Sequence, residues 1–110
     1  MERILRFIVE GQIIKRDPEC DFDNLVPGTE GYLQAEFSFS KEWNGYVKAA
    51  AFFSIMGKEY PPEILKNGIR CTIPAEALKH RTFKIMVVGR KDNSKLTTNK
   101  ITITQNGGAI

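Results

Sequence analysis

Between Tyr32 and Ser40 every second residue is apolar: Leu33, Ala35, Phe37 and Phe39 alternate with Gln34, Glu36, Ser38 and Ser40. A period of two puts these side chains on one face of an extended strand, whereas a helix would spread them around its circumference. The period recurs along the chain. From Ile4 to Ile14, Leu5, Phe7, Val9 and Ile13 alternate with Arg6, Glu10 and Gln12, which reads as one strand, with Gly11 marking a bulge or a close backbone approach. Thr82 to Gly89 alternates through Phe83, Ile85 and Val87, and Leu96 to Gln105 sets Ile101 and Ile103 beside Thr102 and Thr104. Tyr46 to Ile55 is apolar along most of its length and reads as a core strand, and Ile69 to Ile73 is a shorter candidate.

The intervening segments carry turn chemistry. Asp17 to Gly31 holds two prolines, two glycines and five acidic residues, which is loop composition, with Phe22, Leu25 and Val26 positioned to pin the loop to the core. Asn44-Gly45 and Asn67-Gly68 are dipeptides that tolerate positive φ, and the first signals a hairpin. Pro61-Pro62 bars a central strand, because proline has no N–H for the ladder. Pro74 to Lys79 is the single helical candidate. About seven short strands with glycine-marked turns predict an all-β fold, an antiparallel β-sandwich with one short helical turn. A chain of 110 residues affords one hydrophobic core. The expected organisation is a single domain over 1–105, with Asn106-Gly107-Gly108 opening a flexible tail over 106–110.

Charge and motif content narrow the function classes. The net charge of +3 comes from positives scattered among acids, such as Lys41 beside Glu42 and Lys58 beside Glu59, which reads as a mixed, solvated surface. The nearest basic clusters, Lys79-His80-Arg81 with Lys84 and Arg90-Lys91 with Lys95, interleave no aromatics for base stacking, so no nucleic-acid partner is expected. No apolar run is long enough to cross a bilayer, and Met1-Glu2-Arg3-Ile4-Leu5-Arg6 is not a signal peptide, so neither membrane association nor Sec-type export is expected. Cys20 and Cys71 make no disulfide framework, and with His80 they fall short of a zinc site. His80 lies in a charged stretch without a sequence-evident partner for acid–base work, and Gly57-Lys58-Glu59 lacks the rest of a phosphate loop. No catalytic residue, cofactor or metal is therefore expected. What is left is aromatic surface: Trp43, Tyr46 and Tyr60, with Tyr32, are the candidate partner-binding residues, since Trp and Tyr dominate interaction hot spots. The competing reading of Trp43, favoured for a lone tryptophan in a small domain, is that it packs into the core.

Several segments in order, Phe7-Ile8-Val9-Glu10-Gly11-Gln12, Tyr32 to Ser40 with Trp43 and Gly45, Cys71-Thr72-Ile73-Pro74 with Glu76 and Leu78, and Thr97-Thr98-Asn99-Lys100, resemble an immunoglobulin-like β-sandwich module of tail and baseplate proteins of phages and prophages of Gram-positive bacteria. The likeness covers nearly the whole chain, and each of its motifs is a strand, corner or turn. The resemblance implies a non-enzymatic structural module that docks into a tail or baseplate assembly by protein–protein contact, with edge-strand pairing as one mode and homo-oligomerisation as another. It places the chain in the virion or, for a free-standing protein, in the host cytoplasm. The alternatives in the same fold class are a small soluble inhibitor of a host or defence protein and a carbohydrate-binding sandwich using Trp43 and Tyr46.

Overall fold

A computed structural model describes residues 2–105, and the tail expected over 106–110 lies outside the described residues. The strands are β1 (Arg3–Glu10), β2 (Ile13–Arg16), β3 (Leu33–Phe39), β4 (Val47–Ser54), β5 (Glu63–Ile64), β6 (Arg70–Thr72), β7 (Thr82–Lys91), β8 (Ser94–Thr97) and β9 (Ile101–Thr104). A 3-10 turn at Lys41–Trp43 and one helical turn, α1 (Ala75–Leu78), complete the set. They form two sheets, one in the order β2-β1-β3-β6 and one in the order β5-β4-β7, whose far edge is shared by β8 and β9. The molecule is a mostly-β sandwich, as the alternating pattern predicts.

The inner faces follow from that alternation. Leu5, Phe7 and Val9 of β1 meet Leu33, Ala35 and Phe37 of β3, and opposite them stand Ala50 and Phe52 of β4 and Phe83, Ile85 and Val87 of β7, all buried. Phe7 stacks on Phe37 with ring centroids 5.4 Å apart, and Phe22 of the acidic loop meets Phe7 edge-on at the same separation. Leu25 is buried beneath that loop, whereas Val26 is exposed, so two of the three expected pins engage the core.

Four local features depart from the sequence reading, each for a physical reason. The strand expected over Ile4 to Ile14 is a hairpin: Glu10 pairs with Ile13 across a two-residue loop whose first residue, Gly11, has φ +57°, as a type II′ turn requires. Next, β1 and β3 run parallel, with Arg3 to Val9 registered on Leu33 to Phe39, in an otherwise antiparallel pairing. The long acidic loop supplies the crossover that parallel neighbours need. Asn44-Gly45 closes no hairpin, because β3 and β4 belong to different sheets; Asn44 lies at φ −61°, ψ 132° and Gly45 at φ +84°, a type II turn that passes the chain between layers.

The last departure concerns Leu96 to Gln105, which is two strands and not one. β7 pairs with β8 over Val88–Lys91 and with β9 over Thr82–Ile85, leaving Val87 at the handover. There the buried Thr98 replaces the missing ladder: its Oγ1 accepts from Val87 N–H at 3.0 Å, and its own N–H donates to Val87 C=O at 3.1 Å. Asn99 Oδ1 accepts from Ile14 N–H at 2.9 Å and Asn99 N–H donates to Gln12 C=O, which ties the β1–β2 hairpin to the opposite sheet. On the same hairpin Gly11 N–H donates to Ser40 Oγ at 2.9 Å, and Gly11 C=O accepts from Trp43 Nε1 at 2.7 Å. The short corner motifs are thus the stitches between layers.

Candidate binding surface

In a two-layer sandwich each strand can bury only one face against the core, and the other normally carries polar residues. The four-stranded sheet obeys this over its centre, although Ile4, Ile8 and the 56% exposed Ile13 also lie on its outer side. Its outer face presents Arg6, Glu36 and Arg70 in one row, where Glu36 accepts from Arg6 Nε at 3.0 Å and from Arg70 at 2.9 Å, and Gln34 and Thr72 share hydrogen bonds in the next. The Arg70 hydrogen bond, with Arg6 beside it, holds the Glu36 carboxyl below its ordinary range despite partial desolvation. A third ion pair, Lys15 to Glu10 at 2.9 Å, lies on the adjoining hairpin.

The five-stranded sheet does not obey it. Because Ala50 and Phe52 face the core, Val47, Ala49, Ala51 and Phe53 of β4 face outward, and their partners in register are Arg90, Val88, Met86 and Lys84 of β7. Ile64 of the edge strand β5 stands beside Ala49. Val47, Ala49, Ala51, Ile64, Met86 and Val88 therefore make a contiguous apolar outer face, on which Ile64 is 71% and Val47 66% exposed, Ala49, Met86 and Val88 are half-buried and Ala51 is buried. Phe53 shares this face but is covered, with Lys100 Nζ 3.9 Å above its ring centroid. The small residues Ala49 and Ala51 keep the middle of β4 flat, and Met86 is the one long apolar side chain that contact would have to order.

Folding also sorts the charge. From residue 77 onward the chain carries Lys79, Arg81, Lys84, Arg90, Lys91, Lys95 and Lys100, with Asp92 the sole acid. β7, β8 and β9 are adjacent in one sheet, so Lys84, Arg90, Lys95 and Lys100 rim the apolar face, and among the described residues none of them has a carboxylate within ion-pair distance. The three ion pairs, Arg6–Glu36, Arg70–Glu36 and Lys15–Glu10, all lie on the four-stranded sheet, whereas the cations that rim the five-stranded sheet have no carboxylate partner among the described residues.

The aromatic candidates are not brought together. Trp43 is fully buried between Phe39 and Tyr46, with its indole hydrogen-bonded to Gly11, so it belongs to the core and offers no ring to a partner or a sugar. Tyr46 is half-buried, shares a 2.8 Å hydrogen bond with Ser94 and has Lys91 Nζ 5.3 Å over its ring. Tyr60 is buried where the return strand meets Phe52, at the opposite end of β4 from Tyr46. Tyr32, the fourth, is exposed beside the acidic loop. The outer face of the five-stranded sheet escaped notice because the apolar run Tyr46 to Ile55 reads equally well as a strand buried on both sides. The signal was present: a two-layer fold has no second layer to cover it, and Met86 and Val88 occupy outward positions of an alternating strand.

The remaining groups with chemical potential are dispersed. Burial, reinforced by Glu63, pushes the Cys71 thiol up to about 12. Cys20 is half-buried, and its Sγ accepts from Arg6 N–H at 3.3 Å. His80 is exposed on the turn into β7. Among the described residues no three His, Cys, Asp or Glu side chains are grouped to hold a metal, and no helix is long and apolar enough to cross a membrane. No family model matches the chain, and no curated protein matches it.

Proposed function

We propose that this domain is a non-enzymatic binding module that docks through the outer face of its five-stranded sheet into a larger protein assembly. The observation that carries the proposal is the contiguous apolar face formed by Val47, Ala49, Ala51, Ile64, Met86 and Val88. The rim argues for the kind of partner. Two copies meeting face to face by a twofold would set Lys84, Arg90, Lys95 and Lys100 against their equivalents, and such like-charge juxtaposition opposes association. The fitting partner is a different surface, apolar at its centre and edged by carboxylates.

Three of the four sheet edges are poor sites for strand addition, and the fourth is divided between the four-residue strands β8 and β9. β5 and β6 have two and three residues, and β2 is stitched to the opposite sheet by Asn99 and by Arg16, whose guanidinium donates to Thr102 C=O at 2.6 Å. A tail or baseplate of a phage or prophage is the setting that the resemblance of the chain's ordered motifs supports, and the domain's role there is structural. The test is to express Ile64→Lys/Val88→Lys in place of the wild-type chain and isolate tail particles. Retention of the wild type and loss of the variant, with the variant's melting temperature unchanged, is the expected result. Equal retention, or particles that contain neither, rejects the proposal.

A further inference from the structure

A second surface lies at the end of the sandwich where β4 turns back and β7 begins. The turn Ser54 to Lys58 is held by Gly57 N–H to Ser54 C=O at 3.0 Å and by Lys58 N–H to Ser54 Oγ at 3.0 Å. It projects Ile55, 62% exposed, and Met56, 90% exposed, over a groove of about 630 Å³ whose floor includes the buried Tyr60. Across the groove stands the α1–β7 turn with Lys79, His80 and Arg81. That turn is fixed from beneath: the fully buried Gln105 donates through Nε2 to Leu78 C=O at 3.1 Å and His80 C=O at 2.7 Å, and its N–H donates to Arg81 C=O. The wall is therefore preorganised, and a ligand would not have to order it.

The charge lining this groove is one-sided. Lys58, Lys79 and Arg81 stand against a single carboxylate, Glu76, and among the described residues none of the three cations is ion-paired. An apolar cleft of this size, rimmed by unpaired cations, matches a short segment with one bulky apolar side chain flanked by acids. We propose that the groove between Met56 and Arg81 binds an acidic segment of a partner protein, with a Leu, Phe or Trp side chain seated against Ile55, Met56 and Tyr60 and carboxylates facing Lys58, Lys79 and Arg81. The groove shares no lining residue with the outer face of the five-stranded sheet, so the domain can hold two partners, or two parts of one, at once.

The chain supplies its own reporters. Its methionines are Met1, Met56 and Met86, so a [13C]methyl-methionine label reads the groove through Met56 and the sheet face through Met86. Random displayed peptides of about twelve residues, long enough for one anchored segment, are selected on the wild-type chain and counter-selected on Lys79→Glu/Arg81→Glu. Both positions are exposed, and circular dichroism checks the variant's fold. The expected outcome is enrichment of Asp and Glu around a Leu, Phe or Trp. A synthetic peptide of that sequence shifts the Met56 methyl and leaves Met86 in place, binds the charge-reversed variant at least about tenfold more weakly, and is also weakened by Met56→Ser. Several results overturn the proposal: no enrichment, enriched peptides without acids, binding that survives charge reversal, or a shift at Met86 in place of Met56. It fails equally if the Met56 signal moves with protein concentration alone, which would mean a second copy in the groove, or with a single-stranded oligothymidylate, which would mean a nucleic-acid site.

Discussion

Thr98→Val is the sharpest single test of how β7 exchanges one edge partner for the other. Valine matches threonine in shape, so the substitution opens no cavity and removes only the hydroxyl. In the folded chain that hydroxyl oxygen accepts from Val87 N–H at 3.0 Å and donates to Asn99 C=O at 2.7 Å. Asn99 is exposed, so its carbonyl can turn to water. Val87 is fully buried at the point where β7 exchanges β8 for β9, and the acceptor of its N–H there is the Thr98 hydroxyl. An orphaned buried N–H costs about 1–3 kcal/mol, which for a domain of this size lowers the melting temperature by roughly 5–20 °C. Urea titration followed by the fluorescence of Trp43, the only tryptophan and fully buried, measures the loss. Thr98→Ser keeps the hydroxyl and gives up one methyl, about 0.8 kcal/mol. Amide exchange separates the two: Val87 loses protection in Thr98→Val and keeps it in Thr98→Ser. If Thr98→Val stays within about 0.5 kcal/mol of wild type and Val87 remains protected, the handover does not work as described.

Three further outcomes follow from packing and charge. A Cβ on Gly89 would lie 2.9 Å from Trp43 Cζ3 and 3.1 Å from Tyr46 Cβ, and Trp43 is tethered to Gly11, so Gly89→Ala costs about 1–3 kcal/mol by overpacking, read from the same urea titration. The folded Cys71 thiol titrates near 12, above the ordinary 9.0, so its contribution to stability is complete below pH 9 and is lost as pH rises toward 12. Cys71→Ala should remove that part of the alkaline decline, and mass spectrometry after iodoacetamide should find native Cys20 modified well before Cys71. Glu36 shifts the other way: its carboxyl is held below the ordinary 4.5, so the stability it confers is present above that pH and fades as pH falls through the lowered folded value. The row is partly exposed, so Glu36→Gln flattens the acid limb of the stability profile by no more than about 1 kcal/mol.

The layered β architecture was legible in the sequence because a period of two over Tyr32 to Ser40 and Thr82 to Gly89 has one geometric solution. Strand ends were less legible, since alternation continues through a break. Leu96 and Ile101 look like one strand until the ladder of β7 is known, and only then does Thr98 explain why the chain steps aside. Gly11 carried a real signal, but a glycine in an alternating run is equally consistent with a bulge and with a type II′ turn. Asn44-Gly45 tolerates more than one turn type, and which one forms depends on whether the flanking strands share a sheet, a tertiary fact. Trp43 and Tyr60 illustrate the limit on site prediction. Aromatic identity alone does not separate a hot spot from a core residue, and the neighbours that bury Trp43, namely Gly11, Phe39 and Gly89, are scattered along the chain. The outer face of the five-stranded sheet was hidden differently, spread over three strands whose pairing assembles it.

That face is the centre of the functional account, and site-specific photo-crosslinking addresses it directly. A photoreactive residue is placed at position 88, on the apolar face, and in a parallel chain at position 8, on the outer face of the other sheet, and each is irradiated in cells that naturally produce the chain. The account predicts one discrete cross-linked partner from position 88, reduced when Ile64 is changed to Lys, and none of that product from position 8. The same product from both positions, or none from position 88, would contradict it.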